Sequence, residues 1–229
     1  IGARFYTYTS TMAMCMKTAA ENNIEFIVFD RPNPITGLRV DGPIQDEDLY
    51  KKFTGYFPQP IIHGMTIGEL AKMFNEYYGI QCKLTVVEMK GWKRNMFFDE
   101  TGMPWINPSP NIRNVTQEIL YPAIALTEAG ESNISVGRGT DSPFEVLGAP
   151  WIDADKLVQE MKSRNIPGVD FVAIHFTPTE SKFKGELCHG FKVILTDRNS
   201  FDTIGLGFNL LAALCKVGGD TYKLEPNRG

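Results

Sequence analysis

The side chains best suited to chemistry lie in one stretch of the sequence, residues 135–151. Two glycines flank Arg138, so the backbone there can adopt turn conformations that a side chain would forbid. Pro143 stiffens the same loop. The loop presents a guanidinium, a hydroxyl and two carboxylates, which belong to Arg138, Thr140, Asp141 and Glu145. Such a set suits a polar, anionic small ligand. The alternative is a structural loop in which Arg138 and Asp141 form an ion pair.

A second polar loop follows a predicted strand at residues 25–30. Its sequence is Asp30-Arg31-Pro32-Asn33-Pro34, and the two prolines fix an extended path. Because ligands of parallel sheets bind beyond the carboxyl ends of the strands, this loop would present polar groups to a site there. The alternative is that Asp30 and Arg31 only pair with each other and that Asn33 forms a turn.

Two further kinds of residue are candidates for ligand contact. His63 could donate a hydrogen bond to a substrate oxygen or exchange a proton near neutral pH. A single histidine before a helix is, however, more often a structural hydrogen-bonding group. Trp92, Trp105 and Trp151 all lie beside Gly or Pro. Their rings are suited either to stacking against sugars or to packing between domains.

The composition excludes several classes of protein. The chain has 229 residues, a formal net charge of −4 and 43% hydrophobic residues, which is typical of one large or two modest globular domains. It has no block of basic residues, which argues against nucleic acid and anionic membranes as partners, and no apolar run long enough to span a bilayer. The three histidines are far apart and the four cysteines form no CxxC pair, so no metal or redox site is predicted. Two disulfides are an alternative to free, buried thiols.

The first part of the chain alternates helix and strand signals. The stretch from Ser10 to Asn22 predicts a helix, and the apolar run at residues 25–30 predicts a strand buried on both faces. Thr66 and Glu69 form a capping box at the start of a second helix, and residues 84–87 predict a second strand. This order predicts an α/β domain with a mostly parallel sheet.

The second part has a different pattern. Prolines and asparagines between residues 101 and 114 predict a boundary, which gives domains 1–114 and 115–229. Beyond it, Asp153 caps one helix and either Asp202 or Thr203 caps another. Strands at 171–176 and 191–195, with Gly185 and Gly190 between them, predict an antiparallel pair. The second domain is therefore expected to be a smaller α+β domain.

A set of ordered motifs resembles one family, the bacterial exo-β-N-acetylmuramidases. The motifs are RFYTY (4–8), DRPNP (30–34), HGMT (63–66), GW (91–92), DETG (99–102), PSPN (108–111), SVGRGT (135–140), PFE (143–145) and GAPW (148–151). The resemblance implies a Rossmann-like N-terminal domain, a smaller C-terminal domain and an active cleft between them. It also implies removal of N-acetylmuramic acid from the non-reducing end of peptidoglycan fragments by a secreted or periplasmic protein. The chain begins with Ile1 and lacks the Pro-Glu-His-Gly motif and the C-terminal tail usual in such proteins, so we expect a fragment.

The resemblance also implies roles for particular residues. An arginine held by glycines suits the lactyl carboxylate of muramic acid, so Arg138 is predicted to bind it. Glu145 is the first candidate for a catalytic or substrate-orienting carboxylate and Glu131 the second. The predicted contacts to sugar hydroxyls and the acetamido group come from Asp30, Arg31, Asn33 and Asn111. The predicted substrate site is completed by His63, Thr140, Asp141 and Trp92.

The partner expected from these roles is a small muropeptide or disaccharide, and nothing in the sequence requires a metal or an organic cofactor. Four residues far apart in sequence, Asp30, Asn33, Asn111 and Arg138, are predicted to line one cleft. Two other functions stay open at this point. One is a muropeptide-binding module without turnover, and the other is an unrelated small-molecule esterase on a Rossmann-like scaffold.

Overall fold

The computed structural model describes residues 2–128 and 130–225, apart from the side chain of Glu47. The chain divides into two compact units, residues 1–105 and 106–229. Each unit has its own helices and strands and is described by itself.

The first unit is an α/β unit. Its elements are α1 (Tyr8–Glu21), β1 (Glu25–Phe29), α2 (Ile67–Glu76) and β2 (Lys83–Val87), with short 3₁₀ helices at Glu47–Leu49 and Phe98–Thr101. β1 and β2 pair in parallel, from Glu25 opposite Lys83 to Phe29 opposite Val87. One hydrophobic core joins α1, α2 and one face of this sheet, and it contains Met16, Val28, Leu70 and Phe74.

The predicted burial of the first strand on both faces is wrong for this chain. Val28 points into the core, but the alternate residues Ile27 and Phe29 are 50% and 72% exposed. Successive side chains of a strand point to opposite faces. α1 and α2 contribute to the core on the Val28 side, so the burial alternates along β1.

The start of α2 forms as its sequence predicts. The Thr66 hydroxyl accepts from the Glu69 amide at 3.2 Å, and the Glu69 carboxylate accepts from the Thr66 amide at 2.9 Å. Two of the amides that a helix N-terminus leaves without partners are thereby satisfied. This reciprocal cap fixes where α2 begins, directly beside the carboxyl ends of β1 and β2.

The second unit is an α+β unit. Its elements are α3 (Val115–Ile124), β3 (Glu131–Ser132), β4 (Val146–Ala149), α4 (Ala154–Ser163), β5 (Val169–Phe176), β6 (Cys188–Leu195), α5 (Thr203–Gly218) and β7 (Leu224–Glu225). Further 3₁₀ helices lie at Ala125–Glu128 and Gly219–Thr221. One antiparallel sheet has the strand order β4-β6-β5, and β3 pairs antiparallel with β7.

Several predictions for this unit are confirmed. The Asp153 carboxylate caps α4, the Asp202 carboxylate caps α5, and the two long strands are antiparallel. The prediction for Gly190 is wrong, because this residue lies inside β6 and not in a turn between the strands. A Cβ on Gly190 would overlap the carbonyl oxygen of Leu147 on β4. The predicted fold class, an α/β unit with a parallel sheet followed by an α+β unit, is confirmed.

The sequence analysis did not predict α3. Its signal is Asn114, whose side chain accepts from the Gln117 amide at 2.8 Å and so caps the helix. The cysteines all lie in the described ranges and are free thiols, of which Cys82 and Cys188 are buried. No helix among residues 2–128 and 130–225 is long and apolar enough to cross a membrane.

Candidate functional site

A pocket of about 200 Å³ lies in the first unit, where β1 and β2 end and α2 begins. It is lined by Asp30, Thr66, Gly68, Glu69, Lys72, Val86, Glu88, Met89 and Trp92. Pockets for drug-sized ligands span about 300–1,000 Å³, so this one suits a smaller group such as one sugar ring. It is also where a parallel sheet is expected to bind a ligand.

Asp30 joins the end of β1 to the start of α2. Its carboxylate accepts from the Gly68 amide at 2.7 Å, from the Thr66 hydroxyl at 3.0 Å and from the Arg31 amide at 2.9 Å. The carboxylate thus occupies the position at which the amides of a helix N-terminus bind an anionic group. Asp30 is half-buried and lines the pocket, which makes it both a structural anchor and a group that a ligand can meet.

Trp92 supplies the aromatic surface of the pocket. The Arg94 guanidinium lies 5.9 Å from its ring centroid and bonds the carbonyl oxygens of Gly37 and Gly64 at 3.1 Å each. The indole nitrogen of Trp92 is buried and has no hydrogen-bond partner among the described residues. A buried donor of this kind is costly to leave without an acceptor.

Charged side chains complete the pocket wall. Lys72 and Glu88 form an ion pair at 2.9 Å, and hydrogen bonding to Glu88 raises the pKa of Lys72. Glu69 pairs with Arg94. None of these four residues was predicted for a site from the sequence, because Glu69, Lys72 and Glu88 lie within or beside an ordinary helix or strand pattern and Arg94 follows in a loop without a motif of its own.

The other nominated residues of the first unit differ in exposure. Arg31 is exposed, whereas Asn33 and His63 are buried. The Asn33 amide donates to the Met65 carbonyl at 3.0 Å and accepts from the Ile35 amide at 3.1 Å. The His63 ring accepts from the Met65 amide at 3.2 Å. We interpret Asn33 and His63 as groups that hold the loops behind the pocket.

In the second unit, both glycines beside Arg138 need the freedom that the sequence analysis assigned to them. Gly137 and Gly139 each have φ of +79°, in the left-handed region. A Cβ on Gly137 would come within 2.5 Å of a methyl group of Val146, and one on Gly139 would overlap the backbone nitrogen of Glu180. The Gly139 carbonyl also accepts from the Thr179 amide and hydroxyl, at 2.9 and 2.8 Å. The Arg138 loop is thus packed against the loop between β5 and β6.

Replacement of Gly139 by alanine tests this packing, and Gly185 provides a matched control. Gly185 also has φ of +79°, but a Cβ there would meet nothing within 4 Å. Gly185→Ala should therefore lose only about 1–2 kcal/mol of unfolding free energy, the backbone cost. Gly139→Ala should lose about 1–3 kcal/mol more, because the β5–β6 loop must shift. Urea denaturation measures both losses, and equal losses would show that the two loops are not tightly packed.

Arg138 is engaged by Glu128, not by Asp141. Its Nε and Nη2 atoms donate to the two carboxylate oxygens of Glu128 at 2.8 and 2.9 Å. The guanidinium also lies 4.9 Å from the ring centroid of Phe144. The structural alternative predicted an ion pair of Arg138, and an ion pair is present, but its partner is Glu128 rather than Asp141. A substrate carboxylate would therefore have to bind another edge of the Arg138 guanidinium or displace Glu128. The predicted role of Arg138 in binding muramic acid stays a prediction.

Thr140 and Asp141 have different settings in this loop. The Thr140 hydroxyl donates to the Gly137 carbonyl at 2.6 Å and accepts from the Ser142 amide at 3.1 Å. It therefore stabilises the turn itself. Asp141 is exposed. Their predicted substrate contacts stay predictions.

Glu145 lies where α3, β4 and β6 meet. Its carboxylate accepts from the Gln117 side-chain amide at 3.0 Å and pairs with the Lys192 ammonium at 3.3 Å. The Glu145 side chain is 13% exposed and Gln117 is buried. Both partners are hydrogen-bond donors, so the geometry holds Glu145 as an acceptor.

The residue before Glu145 is in an unusual conformation. Phe144 has φ of +61° and is 1% exposed, with its ring edge-on to Tyr121 at 4.9 Å. A bulky residue in the left-handed region costs free energy and persists only where the fold enforces it. Such strain is concentrated at functional sites, which favours a functional role for the adjacent Glu145.

The remaining candidates of the second unit are Glu131 and Asn111. Glu131 is exposed on β3. The side-chain oxygen of Asn111 is buried and has no hydrogen-bond partner among the described residues, and its predicted contact to the substrate stays a prediction. Asp30 and Asn33 belong to the first unit, and Asn111 and Arg138 to the second. That the four line one cleft stays a prediction.

Sequence reasoning did not nominate the partners of these residues. Gln117 and Lys192 hold Glu145, and Glu128 holds Arg138. The Asn114 cap, which places Gln117 in the first turn of α3, is the signal that could have identified Gln117. No comparable local signal marks Lys192 in the middle of β6.

The first unit is therefore an α/β unit with a polar pocket at the carboxyl end of its sheet, and the second holds a strained loop rich in charged groups. In α/β proteins the carboxyl end of the sheet is where ligands bind. Two family models match the chain: "Exo-beta-N-acetylmuramidase NamZ, N-terminal" over residues 1–116 and "Exo-beta-N-acetylmuramidase NamZ, C-terminal" over residues 119–227. The chain belongs to this family, as its motifs predict.

Individual relatives agree with this assignment. The chain is 48% identical over 214 residues to the peptidoglycan β-N-acetylmuramidase NamZ of Bacillus subtilis (strain 168). The aligned region covers 93% of this chain and 51% of that protein. The chain thus spans about half the length of this relative.

Two solved structures are also similar, both of DUF1343 family proteins from Bacteroides fragilis NCTC 9343. BF0371 has a TM-score of 0.90 and 38% identity, and the match covers 96% of this chain and 58% of that one. BF0379 has a TM-score of 0.70 and 31% identity, and the match covers 96% of this chain and 63% of that one.

Proposed function

We propose that this chain is part of a glycoside hydrolase that releases N-acetylmuramic acid from the non-reducing end of peptidoglycan fragments. The observation that carries the proposal is the match of both family models, together with 48% identity to a relative named as a peptidoglycan β-N-acetylmuramidase. The substrate is a muropeptide or disaccharide, and the reaction belongs to cell-wall turnover and recycling. We propose further that the protein acts where peptidoglycan is found, as a secreted or periplasmic enzyme.

The pocket of the first unit supports a saccharide subsite. It combines an aromatic ring, Trp92, with the Asp30 carboxylate, and its volume of about 200 Å³ suits one sugar ring. Sugar hydroxyls donate hydrogen bonds to carboxylate oxygens, and a sugar ring packs against an aromatic face, so Asp30 and Trp92 can bind one sugar together. Asp30 and Trp92 are accordingly our substrate-binding residues in this unit.

Three residues of the second unit keep proposed roles toward the substrate. Glu145 is held as an acceptor, so we assign to it the orientation of substrate or the acceptance of a proton rather than the donation of one. Asn111 keeps its assignment to the acetamido group of the sugar. Arg138 keeps its assignment to the lactyl carboxylate.

The proposal is tested with the complete gene product that contains this chain. We expect it to release free N-acetylmuramic acid from a disaccharide in which that sugar is β-linked at the non-reducing end. Trp92→Ala should raise KM by about tenfold through loss of ring contact. Tyr77→Ala is the matched control, because Tyr77 is an aromatic residue of the same unit that is 79% exposed and outside the pocket.

The alternative function, a muropeptide-binding module without turnover, predicts a different result. Calorimetry would then detect binding of the disaccharide, while chromatography would detect no released sugar. Absence of both binding and release would overturn the assignment of substrate as well as that of activity. If Tyr77→Ala raised KM as much as Trp92→Ala does, Trp92 would no longer be assigned to the substrate site, and the proposed reaction would be unaffected.

A further inference from the structure

A pair of histidines lies outside the groups used so far. His175 is near the end of β5 and His189 near the start of β6, and the strand register places them directly opposite each other. Their Nδ1 atoms are 2.8 Å apart, and the rings are edge-on with centroids 4.8 Å apart. His175 is exposed and His189 is half-buried, so solvent reaches the pair.

We propose that His175 and His189 form a binding site for one divalent transition-metal ion with square-planar or tetragonal preference, Cu²⁺ or Ni²⁺. Neutral imidazole nitrogen is a preferred ligand of these ions. The site would be separate from the groups proposed to act in the hydrolase reaction.

The distance between the nitrogens favours this class of metal. With metal–nitrogen bonds of about 2.0–2.1 Å, two ligands at a right angle lie about 2.9 Å apart, and two at a tetrahedral angle lie about 3.3–3.4 Å apart. The observed 2.8 Å is the length of the hydrogen bond between the rings, and once both rings turn their lone pairs towards a metal the same separation fits the right angle between adjacent ligands of a tetragonal site. Tetrahedral Zn²⁺ would require the two strands or rings to move apart.

Metal binding at the pair leaves the proton count unchanged. In the free protein one Nδ1 carries the proton of the hydrogen bond and the other accepts it. When the metal binds, the donor histidine shifts to the tautomer protonated on Nε2, both Nδ1 lone pairs bond the metal, and two water ligands leave it. Both rings must be neutral, so acid competes with the metal.

Water supplies the remaining ligands. Among the described residues, no group of three or more His, Cys, Asp or Glu side chains is arranged to hold a metal. The neighbouring Cys188 is buried on the opposite face of β6, so its thiol points away from the pair and is not a third ligand.

The position of the pair gives the site a structural consequence. β5 and β6 lead into the loop at residues 177–187, whose Thr179 binds Gly139 beside Arg138. A metal bridging the strands next to this loop binds the paired histidines of the folded state more tightly than the separate histidines of the unfolded chain, so it should raise the melting temperature.

The first experiment is a titration of the tag-free chain with CuSO₄ or NiCl₂ near pH 7.5, followed by calorimetry. We expect one equivalent to bind to the natural sequence. His175→Gln and His189→Gln should each weaken metal binding by about tenfold or more, because a single imidazole remains where two chelated the metal. The double variant should abolish metal binding. Val172→Thr, on the opposite face of β5, should leave binding unchanged. Equal affinity of the single variants and the natural sequence would overturn the proposal.

A second measurement needs no variant. In a proton NMR spectrum, a substoichiometric amount of Cu²⁺ should broaden the ring signals of His175 and His189 while the buried His63 signal persists. Uniform broadening of all three histidines, or of none, would overturn the proposal. So would an unchanged melting temperature at saturating metal.

Discussion

Glu145→Gln should lower the turnover of the complete gene product by about a hundredfold or more, the range that general acid–base catalysis contributes. Gln keeps the size of the side chain but cannot ionise, so it can neither accept a proton nor compensate charge. It can still accept from Gln117 through its oxygen, but its amide then faces the Lys192 ammonium, which is also a donor. We expect a small loss of melting temperature, because the ion pair is 37% exposed on the lysine side and such pairs contribute little.

Two variants make this result specific. Glu186→Gln removes the same charge from an exposed position of the second unit and should leave turnover unchanged. Glu131→Gln tests the second carboxylate candidate, which lies exposed on β3. If Glu131→Gln lost turnover and Glu145→Gln did not, the order of the two candidates would be reversed. If Glu145→Gln unfolded the protein while each folded molecule kept its turnover, Glu145 would only anchor α3 to β4.

The features that sequence alone predicted are those with a local cause. Thr66, Asp153 and Asp202 begin helices because each side chain accepts from an amide three residues ahead. The glycines beside Arg138 have positive φ because the loop turns sharply there. In each case the decisive interaction lies within a few residues of the chain, so the local pattern suffices to predict it.

Features that depend on distant partners could not be predicted in this way. Glu145 lies beside Gln117, which is 28 residues away, and the two histidines meet only because of the β5–β6 register. The exposed side of β1 is a further case. An apolar run indicates a strand but does not specify how many faces other elements cover. Arg138 and its bond to Glu128 belong to this group as well.

Arg138→Lys should distinguish substrate binding from a structural role. If Arg138 binds the lactyl carboxylate, the variant should lower kcat/KM for N-acetylmuramic acid substrates by about ten- to a hundredfold, the equivalent of ~1.5–3 kcal/mol for a charge-assisted contact. Analogues with N-acetylglucosamine at the same position lack that carboxylate and should lose much less. Lysine keeps the charge but not the planar fork, so the difference between the substrates reports the geometry of the contact.

Glu128→Gln supplies the control, because Glu128 accepts from two of the five N–H groups of the Arg138 guanidinium. This variant removes a negative charge that would repel a substrate carboxylate, so discrimination in favour of muramic acid should persist or rise. Its cost in stability should be modest, because Arg138 and Glu128 are 32% and 23% exposed and solvent screens their attraction. If Arg138→Lys and Glu128→Gln instead lower the melting temperature equally and change kcat/KM equally for both substrates, Arg138 only holds the loop. The lactyl carboxylate would then need another partner.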